Sequence, residues 1–176
     1  MLDSRWPEHA PVIRSKGLRR LVTGLLLLLG VLLVARVFVA EPLKVSSDSM
    51  QPTLRSGDHV LVTKVGTRAH APHRNDIVAL ISPADGHLLV KRVAAVAGDT
   101  VGLEDGVLVV NGRPVHEGYV DLGLVDGDYY GPIQVPRGMV FVLGDNRSNS
   151  IDSRKFGPVP ESRIKGRVVL RLWPFR

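Results

Sequence analysis

The chain has 176 residues, 44% of them hydrophobic and 23% charged, with a formal net charge of +6 and no cysteine. That length and balance fit one folded domain with an appended segment and exclude a disordered chain. The absence of cysteine excludes a disulfide framework, a thiol nucleophile and a thiolate metal site.

The positive charge does not point to nucleic acid. Much of it stands ahead of residue 21, in Arg5, Arg14, Lys16, Arg19 and Arg20. A basic cluster beside a long apolar run is a topology signal. Residues 1–20, with Pro7 and Pro11, are expected to form a cytoplasmic tail without fixed structure. Residues 21–40 are apolar apart from Thr23 and Arg36, and about 20 such residues span a hydrocarbon core as a helix. Arg36 lies near the far end, within reach of the interface. Because the basic residues precede the helix, residues 41–176 are expected outside the cytoplasm.

Two other readings of this segment fit less well. A signal peptide cut after Ala40 would have Phe38 at −3, and one cut after Ala35 would have Leu33 there. Both are too large for the small-residue rule. A buried core helix would be amphipathic, and this run is apolar on every face.

Glu41-Pro42 is expected to end the helix, since proline cannot continue the hydrogen-bond ladder. Next comes the turn-forming stretch Ser46-Ser47-Asp48-Ser49-Met50-Gln51-Pro52. Strands are expected over 58–64 and 75–81. Between them His70 and His73 flank Pro72, which argues against a helix presenting both to a metal, and no further ligand lies nearby.

Residues 87–97 are a nearly continuous apolar strand interrupted by Lys91-Arg92. Alternation puts Lys91 on one face with Leu89 and Val93, and Arg92 on the other. Lys91 is then either a desolvated amine, with its neutral form favoured, or a lysine whose head reaches water at a sheet edge. Asn111-Gly112 between residues 107–110 and 113–116 is a type I′ hairpin signal. Residues 117–138, with Asp126, Asp128 and Tyr129-Tyr130, have the composition of a surface excursion. Strands are expected over 139–143 and 167–172, and Trp173-Pro174-Phe175-Arg176 closes the chain with aromatics suited to a membrane interface. The fold class is mainly β: an antiparallel β-sheet domain over 41–176, preceded by one transmembrane helix.

Three stretches carry candidate chemistry. Ser49 is the candidate nucleophile, and a serine needs a base to take its proton. None of the six histidines sits in a triad setting, whereas Lys91 has the driest surroundings of the lysines, and serine–lysine pairs follow the same logic. The Ser47 hydroxyl and the Ser49 backbone N–H are close enough in sequence to serve a developing oxyanion. Residues 144–154 pack polar groups straight after an apolar strand: Ser150 to orient the lysine, and Asp145, Asp152 and Arg154 either to support a site or to hold a turn.

These stretches together resemble the type I signal peptidases of bacteria over residues 21–176. Ser47-Asp48-Ser49-Met50-Gln51-Pro52-Thr53-Leu54 matches the family's nucleophile box. Val90-Lys91-Arg92-Val93 followed by Gly98-Asp99 matches its lysine box, and residues 144–154 match a third. Phe156-Gly157-Pro158-Val159-Pro160 matches the family's pattern immediately after that third box.

The resemblance implies a membrane-bound endopeptidase that removes signal peptides from preproteins after small residues at −1 and −3. It implies Ser49 as nucleophile and Lys91 as general base. Ser47 would complete the oxyanion hole, Ser150 would orient the lysine, and Asp145, Asp152 and Arg154 would support the site. Val45 and Val90 would line the pockets for −1 and −3. No metal or organic cofactor is implied. Ser46 departs from the family's usual proline, Ala95 and Ala97 from its glycine and proline, and the stretch between the second and third boxes is short. A self-cleaving repressor shares such a dyad, but this chain has a membrane-spanning pattern and no DNA-reading helical domain. A membrane-anchored binding protein with an inactive site is the alternative from another class.

Overall fold

The structure is a computed structural model that describes residues 15–38, 40–64, 71–121 and 127–174, with the backbone alone given for residue 15 and for 34–38. The first fourteen residues, His70, Asp126 and Phe175-Arg176, each named above, lie outside the described residues.

Helix α1 runs Ser15–Phe38. It starts within the stretch expected to be tail and ends short of Ala40. Its leucines from Leu18 to Leu33 are exposed. Among the described residues no helix is long and apolar enough to cross a membrane.

Among the described residues the chain then forms eleven strands: β1 (Ala40–Lys44), β2 (His59–Thr63), β3 (Ile77–Ile81), β4 (Leu88–Val96), β5 (Thr100–Glu104), β6 (Val107–Val110), β7 (Arg113–Pro114), β8 (Tyr130–Gln134), β9 (Met139–Leu143), β10 (Val159–Pro160) and β11 (Ile164–Trp173). A seven-stranded sheet has the order β1-β2-β11-β3-β4-β9-β10, and a four-stranded sheet the order β7-β6-β5-β8. Every pairing is antiparallel. The domain is mainly β, as its alternating valine-rich runs imply. Its helix among the described residues is one short turn, α2 (Ser153–Phe156), besides 3-10 turns at 147–149 and 161–163.

Proline explains where the sheets stop. β1, β7, β8 and β10 are the four edge strands, and each contains one: Pro42, Pro114, Pro132 and Pro160. Proline has no N–H for a ladder and is tolerated at an edge, where it also discourages pairing with another chain. Pro42 therefore does not simply end the helix. It sits inside an edge strand paired to β2.

Two hairpins in the smaller sheet turn through left-handed pairs, Asp105-Gly106 at φ 53° and 77° and Asn111-Gly112 at 54° and 71°. The core lies in three clusters. One, around Phe141, Leu143, Leu103 and Val101, joins the two sheets. The other two, around Leu80, Val93 and Val140 and around Met50, Val60 and Val62, pack on the larger sheet. The buried Met50 and Leu54 of this last cluster fix the loop between β1 and β2, which carries Ser49.

Candidate active site

Ser49 and Lys91 come together at the junction of three segments. The β1–β2 loop supplies Ser47 and Ser49, β4 supplies Lys91, and the segment after β9 supplies Ser150. Lys91 Nζ is 2.8 Å from Ser49 Oγ and 3.0 Å from Ser150 Oγ. Ser47 Oγ is 3.2 Å from Ser49 Oγ, with either hydroxyl able to donate.

Lys91 is 2% exposed. Of the two sequence alternatives, the desolvated lysine is the one observed. Burial lowers its pKa to about 8; Asp152 and Asp145 pull it up, and Arg154 adds to the lowering. The neighbouring valine, Val93, is fully buried on the same face, and Arg92 points the other way, as strand alternation requires.

The segment after β9 is folded tightly against Ser49. The Asn146 backbone N–H donates to the Ser49 carbonyl at 3.0 Å, and Asn146 Nδ2 donates to the Asp48 carbonyl. A Cβ on Gly144 would meet both the Ser150 side chain and the Ser49 carbonyl oxygen, the latter at 2.6 Å, so a glycine is required there.

Asp152 is buried and caps α2. One oxygen accepts from the Gly144 N–H at 3.0 Å, and Arg154 Nε donates to the other at 2.9 Å. Burial alone would raise its carboxyl, but the bonds from Arg154 and Gly144 outweigh it and the pKa is lowered. In an extended segment Asp152 and Arg154 would pair as neighbours on one side. They do pair, but through a helix cap in which Asp152 also accepts from the Arg154 backbone N–H. Arg154 continues to Asp128 and to the Arg147 carbonyl.

Asp145 is gripped from the next strand. Arg92 donates to its two oxygens at 2.9 and 2.7 Å, and Thr53 Oγ1 donates to the second. Sequence reasoning misses Arg92 and Thr53 as members of the site. A signal for Arg92 is present: an arginine facing away from Lys91 inside an apolar strand requires a carboxylate partner. Val45 and Val90 line a cleft of about 360 Å³ together with Ser46, Ser47, Ser49 and Leu89. Ser46, one of the departures, is exposed on its wall; Ala95 is buried in the intersheet core and Ala97 is exposed. Among the described residues no cluster of three or more histidine, aspartate and glutamate side chains is placed to hold a metal ion.

Such a set can perform acyl transfer: a hydroxyl, an amine of lowered pKa beside it, a second hydroxyl on that amine, and a cleft that the first hydroxyl's residue helps to line. Residues 18–173 match the family model described as signal peptidase, peptidase S26. The chain belongs to that family.

It is similar to signal peptidase I of Leptolyngbya laminosa, 36% identical over 168 residues, covering 90% of this chain and 79% of that protein. Signal peptidase I T of Bacillus subtilis is 38% identical over 153 residues, covering 81% and 79%. A crystal structure of a signal peptidase I from Enterococcus faecalis superposes with a TM-score of 0.50 at 34% identity, covering 56% of this chain and 97% of that one.

Proposed function

We propose that this chain is a serine endopeptidase that cleaves signal peptides from preproteins with a Ser49/Lys91 dyad. The observation that carries the mechanism is the 2.8 Å contact between a nearly dry lysine and the hydroxyl of a serine that lines a cleft. Ser49 Oγ attacks the carbonyl carbon of the −1 residue while Lys91 takes the hydroxyl proton. The Ser47 hydroxyl and the Ser49 N–H hold the negative oxygen of the tetrahedral intermediate. Lys91 returns the proton to the leaving amine, then activates the water that releases the signal peptide from Ser49.

Ser150 keeps Lys91 aimed, and Asp145, Asp152 and Arg154 hold the loop that carries Ser150. Val45 and Val90 limit the −1 and −3 side chains to small ones. Helix α1, with its leucines exposed, supports a single N-terminal anchor in the cytoplasmic membrane, with residues 41–176 outside. Such an anchor confines enzyme and preprotein to one surface and raises their effective concentration.

The test is cleavage of a preprotein with alanine at −1 and −3, in detergent, by wild type, Ser49→Ala and Lys91→Ala, with product masses read out. One cut after the −1 alanine, abolished in both variants, is expected. A folded wild type that cuts no such substrate would leave a binding protein as the better reading.

A further inference from the structure

The segment from Val115 to Asp121 follows the β6–β7 hairpin and contains none of the residues assigned above. Its composition is that of a surface excursion, yet the Glu117 side chain is only 7% exposed. One Glu117 oxygen accepts from Tyr119 Oη at 2.7 Å. The other pairs with Arg147 Nη2.

Each partner leads to the active-site loop. Arg147 Nε donates to the Gly144 carbonyl at 3.1 Å. The Tyr119 ring lies 4.0 Å from the Arg92 guanidinium, which itself grips Asp145. One carboxylate thus braces two consecutive residues, Gly144 and Asp145, from a segment distant in sequence. Gly144 is the point where Ser150 and the Ser49 carbonyl converge.

A buried ion pair contributes little net stability, because desolvation offsets the attraction. Arg147 is a costly example, 1% exposed and with no hydrogen-bond partner for Nη1 among the described residues. We propose that Glu117, together with Tyr119, is a positioning element for the dyad: through Arg147 and Arg92 it fixes the Gly144–Asp145 segment, so that Ser150 and Ser49 stay within reach of Lys91. This rests on the Ser49/Lys91 mechanism above.

The test compares full-length wild type, Glu117→Ala, Arg147→Met, the double variant and Tyr119→Phe. Thermal midpoint, kcat, KM and the pH profile of preprotein cleavage are measured for each. Glu117→Ala is expected to lower kcat about 10- to 100-fold with KM little changed, the effect of a small misplacement of reacting groups. Its acidic limb should move toward the ordinary lysine range as water reaches Lys91.

The double variant contains no lone buried charge, so it should regain thermal stability and yet remain slow, and it decides the matter if Glu117→Ala fails to fold. Tyr119→Phe keeps the ring and loses the hydroxyl; it should lose several-fold in kcat with only a small drop in midpoint, since Glu117 keeps Arg147. A double variant that regains both stability and kcat would show that Glu117 only neutralises Arg147 and would overturn the proposal. Cleavage that survives Lys91→Ala would sink the dyad and this idea together. A Lys91-dependent reaction indifferent to the double substitution would sink this idea alone.

Discussion

The backbone N–H of Asn146 donates to the carbonyl of Ser49 at 3.0 Å. The loop that carries Ser49 and the segment after β9 are therefore tied together, although nearly a hundred residues separate them. Gly144 sits in the seam with no room for a side chain. Gly144→Ala must push apart Ser150 and the Ser49 backbone. A loss of about 100-fold or more in kcat is expected, since displacement by about 1 Å has that cost. Steady-state cleavage beside a circular dichroism spectrum checks it: an active, folded Gly144→Ala would contradict the close packing.

In the proposed mechanism Ser150 acts through one contact, its 3.0 Å bond to Lys91 Nζ. Removing it in Ser150→Ala should leave the fold intact and lower kcat roughly 10- to 100-fold, as for a misaimed base. KM should change little, because Ser150 is not among the residues lining the Val45–Val90 cleft. A kcat unchanged in this variant would remove Ser150 from the mechanism.

The Asp145–Arg92 pair is nearly buried, the two side chains being 1% and 12% exposed. Asp145→Ala leaves a guanidinium facing an empty, dry position. Breaking such a pair from one side costs about 3 to 5 kcal/mol. Urea unfolding should show most of this loss. Arg92→Lys should be only partly tolerated, because a single ammonium cannot reproduce the two-pronged grip.

Lys91 itself should destabilise the fold. In the unfolded chain it holds its proton to about pH 10.5, whereas in the folded protein the pKa falls to about 8. Between those values the unfolded state binds more protons, so this contribution to stability rises with pH across that window; below it the full penalty, roughly 3 kcal/mol, is present. Lys91→Met should therefore be more stable than wild type at pH 7, and the gap should narrow toward pH 10.5. Thermal midpoints across that range check the sign, and a gap that widens with pH would contradict a lysine whose pKa is lowered by burial.

Much of this site is legible from local sequence. Ser49 stands in a turn-forming cluster, Lys91 interrupts an apolar strand, and Ser150 lies in a polar run directly after β9, whose span over Met139–Leu143 is as expected. Asn111-Gly112 marks its hairpin because that turn needs positive φ at both positions. Asp105-Gly106 carries the same signal and bends β5 into β6.

The features that escape a local reading are of three kinds. β1, β5 and β8 contain Pro42, Gly102 and Pro132, residues that argue against strands unless the topology is known; two of the three are edges. The pairs Arg92–Asp145 and Glu117–Arg147 join residues 53 and 30 positions apart, so only the folded sheet order shows them. Apolar composition places a helix over 21–40, but α1 starts among the basic residues and gives way to β1 at Ala40.

The central claim is that Lys91 acts on Ser49 as a neutral amine. The most direct measurement is the single-turnover rate of preprotein cleavage from pH 5 to 10, with the chemical step rate-limiting. The rate should fall on the acidic side with an apparent pKa near 8, the value set by burial of Lys91. A profile flat from pH 5 to 9 would contradict the assignment of Lys91 as the base.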